Sequence, residues 1–103
     1  MRIFSVLTFA LKRDQDDAFL TLMKRFILYR KIHFDLFKEM KSFSVFRQQS
    51  GPYVMMWAYD SLDDYELLST RVSKDEGWGK LQEGLLQLVD DSTYKHDLWK
   101  TVL

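Results

Sequence analysis

From Tyr53 to Tyr59 the chain alternates between two sets of side chains, and both sets are apolar: Tyr53, Met55, Trp57 and Tyr59 against Val54, Met56 and Ala58. Successive strand residues point to opposite faces, so a half-exposed antiparallel strand alternates apolar with polar. A strand apolar on both sides predicts a central place in a sheet whose two faces are covered. Residues from about Arg2 to Lys12 carry the same signature and predict a second central strand. Ser42 to Gln49 sets Phe43, Val45 and Arg47 against Ser44, Phe46 and Gln48, the more polar pattern of an edge strand. Ser50-Gly51-Pro52 then supplies a compact turn into Tyr53, which predicts an antiparallel hairpin.

Between the first two strands the apolar period changes to that of a helix. Phe19, Leu22, Met23, Phe26, Tyr29, Leu36, Phe37 and Met40 recur at three- and four-residue steps, with Lys24, Arg25, Lys31 and Lys38 on the water side. Asp14, Asp16 and Asp17 suit the positive end of a helix. No proline or glycine interrupts Asp16 to Lys41, so one long helix is predicted over that range, although a break near His33 would leave the same pattern. After the third strand, Ser61 with Asp64 and Ser73 with Glu76 have the spacing of capping boxes and predict two successive helical pieces. The second piece is amphipathic through Trp78, Leu81, Leu85, Leu88 and Val89, although Gly77, Gly79 and Gly84 lower its helix propensity. Close packing is the expected reason for those glycines. A fourth strand is predicted within Thr93 to Leu103.

The element order is β-α-β-β-α-β: an α+β, ferredoxin-like domain over residues 1–103, with the helices on one face of a four-stranded antiparallel sheet. A chain of 103 residues makes one core rather than two. Its helices cover only one sheet face, so the other is expected to meet a second copy, because closed two-fold dimers are the common way to bury such a patch.

Lysine plus arginine and aspartate plus glutamate each number 15, so no global field draws the chain to nucleic acid or an anionic membrane. With no cysteine, disulfides and thiolate metal sites are excluded, and a cytoplasmic location is the default expectation. The apolar start is broken by Ser5 and Thr8 and followed by Lys12-Arg13-Asp14, which predicts a strand rather than a signal peptide. No apolar run reaches the roughly 20 residues of a membrane span.

Trp57-Ala58-Tyr59-Asp60-Ser61-Leu62, then Glu66, then Asp75-Glu76-Gly77-Trp78, resembles the NIPSNAP-like group of dimeric α/β-barrel proteins. The resemblance is concentrated in Val54 to Leu81 and implies chiefly a fold and dimerisation. Tyr65 and Ser69 stand near places where that group carries arginines, so an anion-binding role is not carried over. The wider dimeric α/β-barrel group includes cofactor-free monooxygenases and haem-degrading enzymes, and Trp57 resembles their third-strand tryptophan. The haem-degrading pattern also has an asparagine on the first strand and a histidine on the next helix. This first strand has no asparagine, and no histidine lies between His33 and His96.

The candidate chemistry is sparse. Trp57, Tyr59, Tyr29 and Tyr65, with Arg47 on the edge strand, are the expected lining of a pocket for a flat apolar or aromatic molecule with one polar group, although core packing accounts for most of them. His33, on or near the apolar stripe, is the weak catalytic candidate; a packed or helix-end histidine is the plainer reading. His96 is expected in solvent, and Asp97 beside it points to the other strand face. No metal-ligand spacing, phosphate-binding glycine pattern or serine-nucleophile motif occurs, so neither a metal nor a cofactor is expected. Two functions follow: a homodimeric ligand-binding module, or a cofactor-independent monooxygenase-like enzyme in which Trp57 and Tyr59 position an activated aromatic substrate and His33 moves a proton.

Overall fold

Both doubly apolar segments do become central strands. The computed structural model describes residues 2–103. It contains β1 (Ile3–Phe9), α1 (Asp16–Ile32), β2 (Ser42–Arg47), β3 (Tyr53–Tyr59), α2 (Leu62–Val72), α3 (Glu76–Leu88), a 3-10 turn at Asp91–Thr93 and β4 (Lys95–Lys100). The sheet is antiparallel with strand order β2-β3-β1-β4, the ferredoxin-like arrangement, and β2 lies at an edge. Among the described residues no helix is long and apolar enough to cross a membrane.

The register assigns the two faces. Phe9 pairs with Tyr53, Leu7 with Met55, Ser5 with Trp57 and Ile3 with Tyr59, and this row points towards the helices. There it meets Phe19, Leu22, Met23 and Phe26 from α1 and Trp78 and Leu85 from α3, all buried. The opposite row, Phe4, Val6, Thr8, Val54, Met56 and Ala58, carries no helix. Val6 and Ala58 are closed over by their own neighbours, whereas Phe46 and Trp99, flanking on the edge strands, are each 52% exposed.

The first helix is shorter than its stripe predicts. At about 1.5 Å per residue, a helix from Asp16 to Lys41 would run about 39 Å, longer than the domain's greatest extent of 37 Å. It ends instead at Ile32, and the chain returns through tight turns in which Leu36 N–H donates to His33 O, Phe37 N–H to Phe34 O and Met40 N–H to Phe37 O. Phe37 and Met40 still reach the core, by folding back rather than by continuing the helical face. Arg71 of α2 clamps this return segment, donating to Leu36 O and to both carboxylate oxygens of Glu39.

Glu39 is only 8% exposed, and its hydrogen bonds from Arg71 hold its carboxyl below the ordinary value of 4.5. A depressed acid gives stability that is present above its unfolded value and lost as pH falls through the folded one. The melting temperature should therefore drop on acidification below about pH 4.5. Glu39→Gln should melt lower at neutral pH and lose less on acidification, measured by circular dichroism.

The two helix starts differ from each other. Ser61 caps α2 as its spacing predicts, accepting from Asp64 N–H at 3.1 Å. Ser73 does not cap α3: its hydroxyl closes α2 by donating to Thr70 O, and Asp75 caps α3 by accepting from Trp78 N–H at 2.9 Å. The same Asp75 oxygen accepts from the Tyr29 hydroxyl. That bond, with burial next, pushes Tyr29 up to about 12. The same bond, with the Trp78 N–H next, holds Asp75 below its usual range.

This junction explains one glycine. A Cβ at Gly77 would lie 2.8 Å from Tyr29 Cζ, in a ring that the Asp75 bond holds in place, whereas a Cβ at Gly79 meets nothing within 4 Å. Gly79→Ala should stabilise by about 0.5–1 kcal/mol through helix propensity. Gly77→Ala should destabilise by about 1–3 kcal/mol through the overlap. Urea denaturation of the two variants measures the opposite signs.

Candidate functional site

Between the helix-side face of the sheet and helices α2 and α3 lies a cleft. One part, about 210 Å³, is lined by Ser5, Trp57, Tyr59, Tyr65, Tyr94 and His96 among others. An adjoining part, about 200 Å³, shares Leu7, Trp57, Trp78, Gln82 and Tyr94 and runs towards Phe26 and Leu85. A larger groove of about 570 Å³ lies outside, along α1 and the return segment, and gathers none of these aromatic hydroxyls. The cleft is the better candidate because its polar groups converge inside aromatic walls.

Local pairing builds it. Trp57 sits in the middle of β3 opposite Ser5 of β1, and Ser5 in turn sits opposite Leu98 of β4. The small side chain at Ser5 leaves room above the sheet between larger neighbours. His96 fills part of it: its Nε2 lies 2.8 Å from Ser5 Oγ, joining an exposed imidazole to a buried hydroxyl. Tyr65 of α2 reaches the same place, with its ring centroid 6.5 Å from that of His96 and 5.4 Å from that of Tyr59.

The cleft walls are mostly aromatic and aliphatic, with a few hydroxyls and one imidazole among them. Burial, with Tyr65 nearby, pushes Tyr59 well above the ordinary phenol range, and burial raises Tyr94 as well. Both remain protonated donors. The arrangement can stack a flat ring against Trp57 and Trp78 and offer one polar ligand atom a hydroxyl or the imidazole.

Three of the five residues expected to line a pocket, Trp57, Tyr59 and Tyr65, come together here. Tyr29 lies instead at the α1–α3 junction, bonded to Asp75. Arg47 stands on the edge strand with its guanidinium 5.0 Å from the centre of the Tyr53 ring. His33 caps the end of α1 and packs against Tyr29, centroids 4.2 Å apart with the rings tilted by 35°, and does not line the cleft. His96 is exposed as its sequence suggests and faces away from Asp97, yet it borders the cleft. What single-residue reading misses is the cross-strand contact: His96 follows Ser5 by 91 positions, and only the β1–β4 register brings them together.

No family model matches the sequence, and no curated protein does. Solved structures do match. A NIPSNAP family protein of Agrobacterium tumefaciens strain C58, Atu5224, superposes with a TM-score of 0.73 at 16% identity, covering 99% of this chain and 94% of that one. A second NIPSNAP family protein of that strain, Atu4242, of unknown function, gives 0.71 at 20% identity, covering 97% and 87%. SnoaB, a cofactor-independent oxygenase from Streptomyces nogalater, gives 0.71 at 13% identity, covering 99% and 94%. The chain thus has a NIPSNAP-like fold, which SnoaB shares.

Proposed function

We propose that the protein is a homodimer, joined through the uncovered sheet face, that holds a small flat apolar or aromatic molecule carrying one polar group in the cleft between sheet and helices. The observation that carries the ligand is the Ser5–His96 pair set among Trp57, Tyr59, Tyr65 and Tyr94. The two cleft parts together reach the size of small-ligand sites, about 300–1,000 Å³. Dimerisation rests on the apolar outer row with exposed Phe46 and Trp99 at its margins. A chain without cysteine suits a reducing cytoplasm, the proposed compartment.

Light scattering coupled to size exclusion tests the dimer, and titration with 1-naphthol, read by tryptophan fluorescence, tests the cleft. Saturable quenching is expected, and His96→Gln should weaken it by about two- to tenfold, the worth of one hydrogen bond. Absence of saturation for any flat aromatic would reject the cleft as a ligand site.

A second reading is a cofactor-independent oxygenase acting on an activated aromatic substrate, as SnoaB is described. The Ser5–His96 pair favours it by giving the cleft a proton acceptor, a role His33 is too far outside the cleft to fill. Oxygen uptake that needs His96 but survives His33→Ala would support it; turnover indifferent to His96 would remove that assignment.

A further inference from the structure

The groove along the outer flank of α1 differs from the cleft in charge. Its apolar floor is Ile27, Phe34, Phe37 and Met40, and its charged residues are Arg30, Lys31 and Lys38. At Ile27 it continues into a second hollow of about 400 Å³, between α1 and the edge strand β2, where Leu20, Phe43 and Val45 are flanked by Lys24 and Arg47. A chain with equal numbers of acids and bases places only bases here: no aspartate or glutamate lines either part. Among the described residues no carboxylate lies within ion-pair distance of Arg30, Lys31 or Lys38.

Arg30 makes this more than a set of solvated lysines. It is half-buried, and its guanidinium is fixed at the groove by donating to Met40 O at 3.0 Å. Among the described residues its other N–H groups have no partner, which leaves them for a planar anion, the geometry in which arginine binds carboxylate and phosphate best. Beside it, Phe34 is 67% exposed and Ile27 52%, a poor arrangement in water unless something apolar covers them.

We infer that this groove binds a free single-chain anionic amphiphile, its carboxylate or phosphate head on Arg30, Lys31 and Lys38 and its hydrocarbon tail along Ile27 towards Leu20, Phe43 and Val45. Charge complementarity selects this occupant. A second copy would bring the same cations into contact, and a membrane surface is flat where this site is concave. The site is separate from the aromatic cleft, although Met40 borders both, and its existence is independent of the cleft's function.

Calorimetric titration with dodecanoate, dodecanol and dodecyltrimethylammonium, each below its micelle-forming concentration, tests the inference. Dodecanoate is expected to bind saturably, the cation not at all, and dodecanol at least about tenfold more weakly, the worth of a charged hydrogen bond. Rising salt should weaken dodecanoate. Arg30→Gln should cost dodecanoate about tenfold or more while leaving dodecanol unchanged. Should that variant misfold, the double variant Lys31→Gln, Lys38→Gln of exposed residues asks the same question. Equal affinity for dodecanoate and dodecanol, indifference to both charge variants, or binding to anionic vesicles without binding of monomeric dodecanoate would each overturn it. 1-Naphthol should not displace dodecanoate; competitive displacement would place the amphiphile in the cleft and overturn the separate site.

Discussion

Replacing Met56 by aspartate is expected to split the proposed sheet-to-sheet dimer into folded monomers. Met56 lies in the centre of the outer sheet face, opposite Val6 on β1 and Ser44 on β2, and is half-buried in the isolated chain. Its side chain takes no part in the helix-side core, so a charge there should leave the fold standing. Across a sheet-to-sheet contact the same charge would be desolvated against apolar neighbours. Central interface residues cost about 2–4 kcal/mol when disrupted, which raises the dimer dissociation constant by about 30- to 1,000-fold. Light scattering at micromolar concentration should read the mass of one chain, with a cooperative thermal transition retained. The control is Leu28→Asp on the exposed face of α1, which should stay dimeric. A dimer that survives Met56→Asp would move the interface off the sheet.

The strands were legible because burial on both faces is written into adjacent residues: Val54, Met56 and Ala58 beside Met55, Trp57 and Tyr59 leave no polar side. Topology followed from the short turn before Tyr53 and the helical spacing elsewhere. Helix boundaries were less legible. The stripe through Leu36, Phe37 and Met40 has helical spacing, but tight turns also deliver residues three or four apart to one side, and the domain is too small for the longer helix. The third helix start followed the same rule: Ser73 and Asp75 both have capping chemistry, and the Tyr29 hydroxyl favours Asp75 by bonding the capping oxygen.

The cleft was half legible. Aromatic residues of β3 and α2 announce it because Trp57, Tyr59 and Tyr65 are close in sequence as well as in space. Tyr29 belongs to the same aromatic pattern, yet its ring lies beyond Trp78, with centroids 6.2 Å apart, at the helix junction. The Ser5–His96 pair was invisible, since neither residue is unusual by itself and strand β4 has no motif that fixes its register against β1. A serine opposite a tryptophan on a central strand is a usable signal: in an otherwise apolar row it marks missing volume.

That missing volume makes Trp57 the residue at which stability and binding can be separated. It is 7% exposed and stacks on Phe43 with ring centroids 5.2 Å apart, so it belongs to the core as well as to the cleft wall. Trp57→Ala should lower stability by about 3–5 kcal/mol, a large share of the roughly 5–15 kcal/mol that holds a domain together, and the melting temperature should fall by roughly 10 °C or more. Lost binding in that variant would therefore say little about contact with a ligand. Trp57→Phe keeps an aromatic ring against Phe43 while withdrawing part of the indole face from the cleft. It should remain folded and weaken 1-naphthol by roughly two- to twelvefold, the worth of one aromatic contact. An unchanged naphthol affinity in Trp57→Phe, together with the collapse of Trp57→Ala, would assign Trp57 to packing and shift the ligand towards Trp78 and Tyr94.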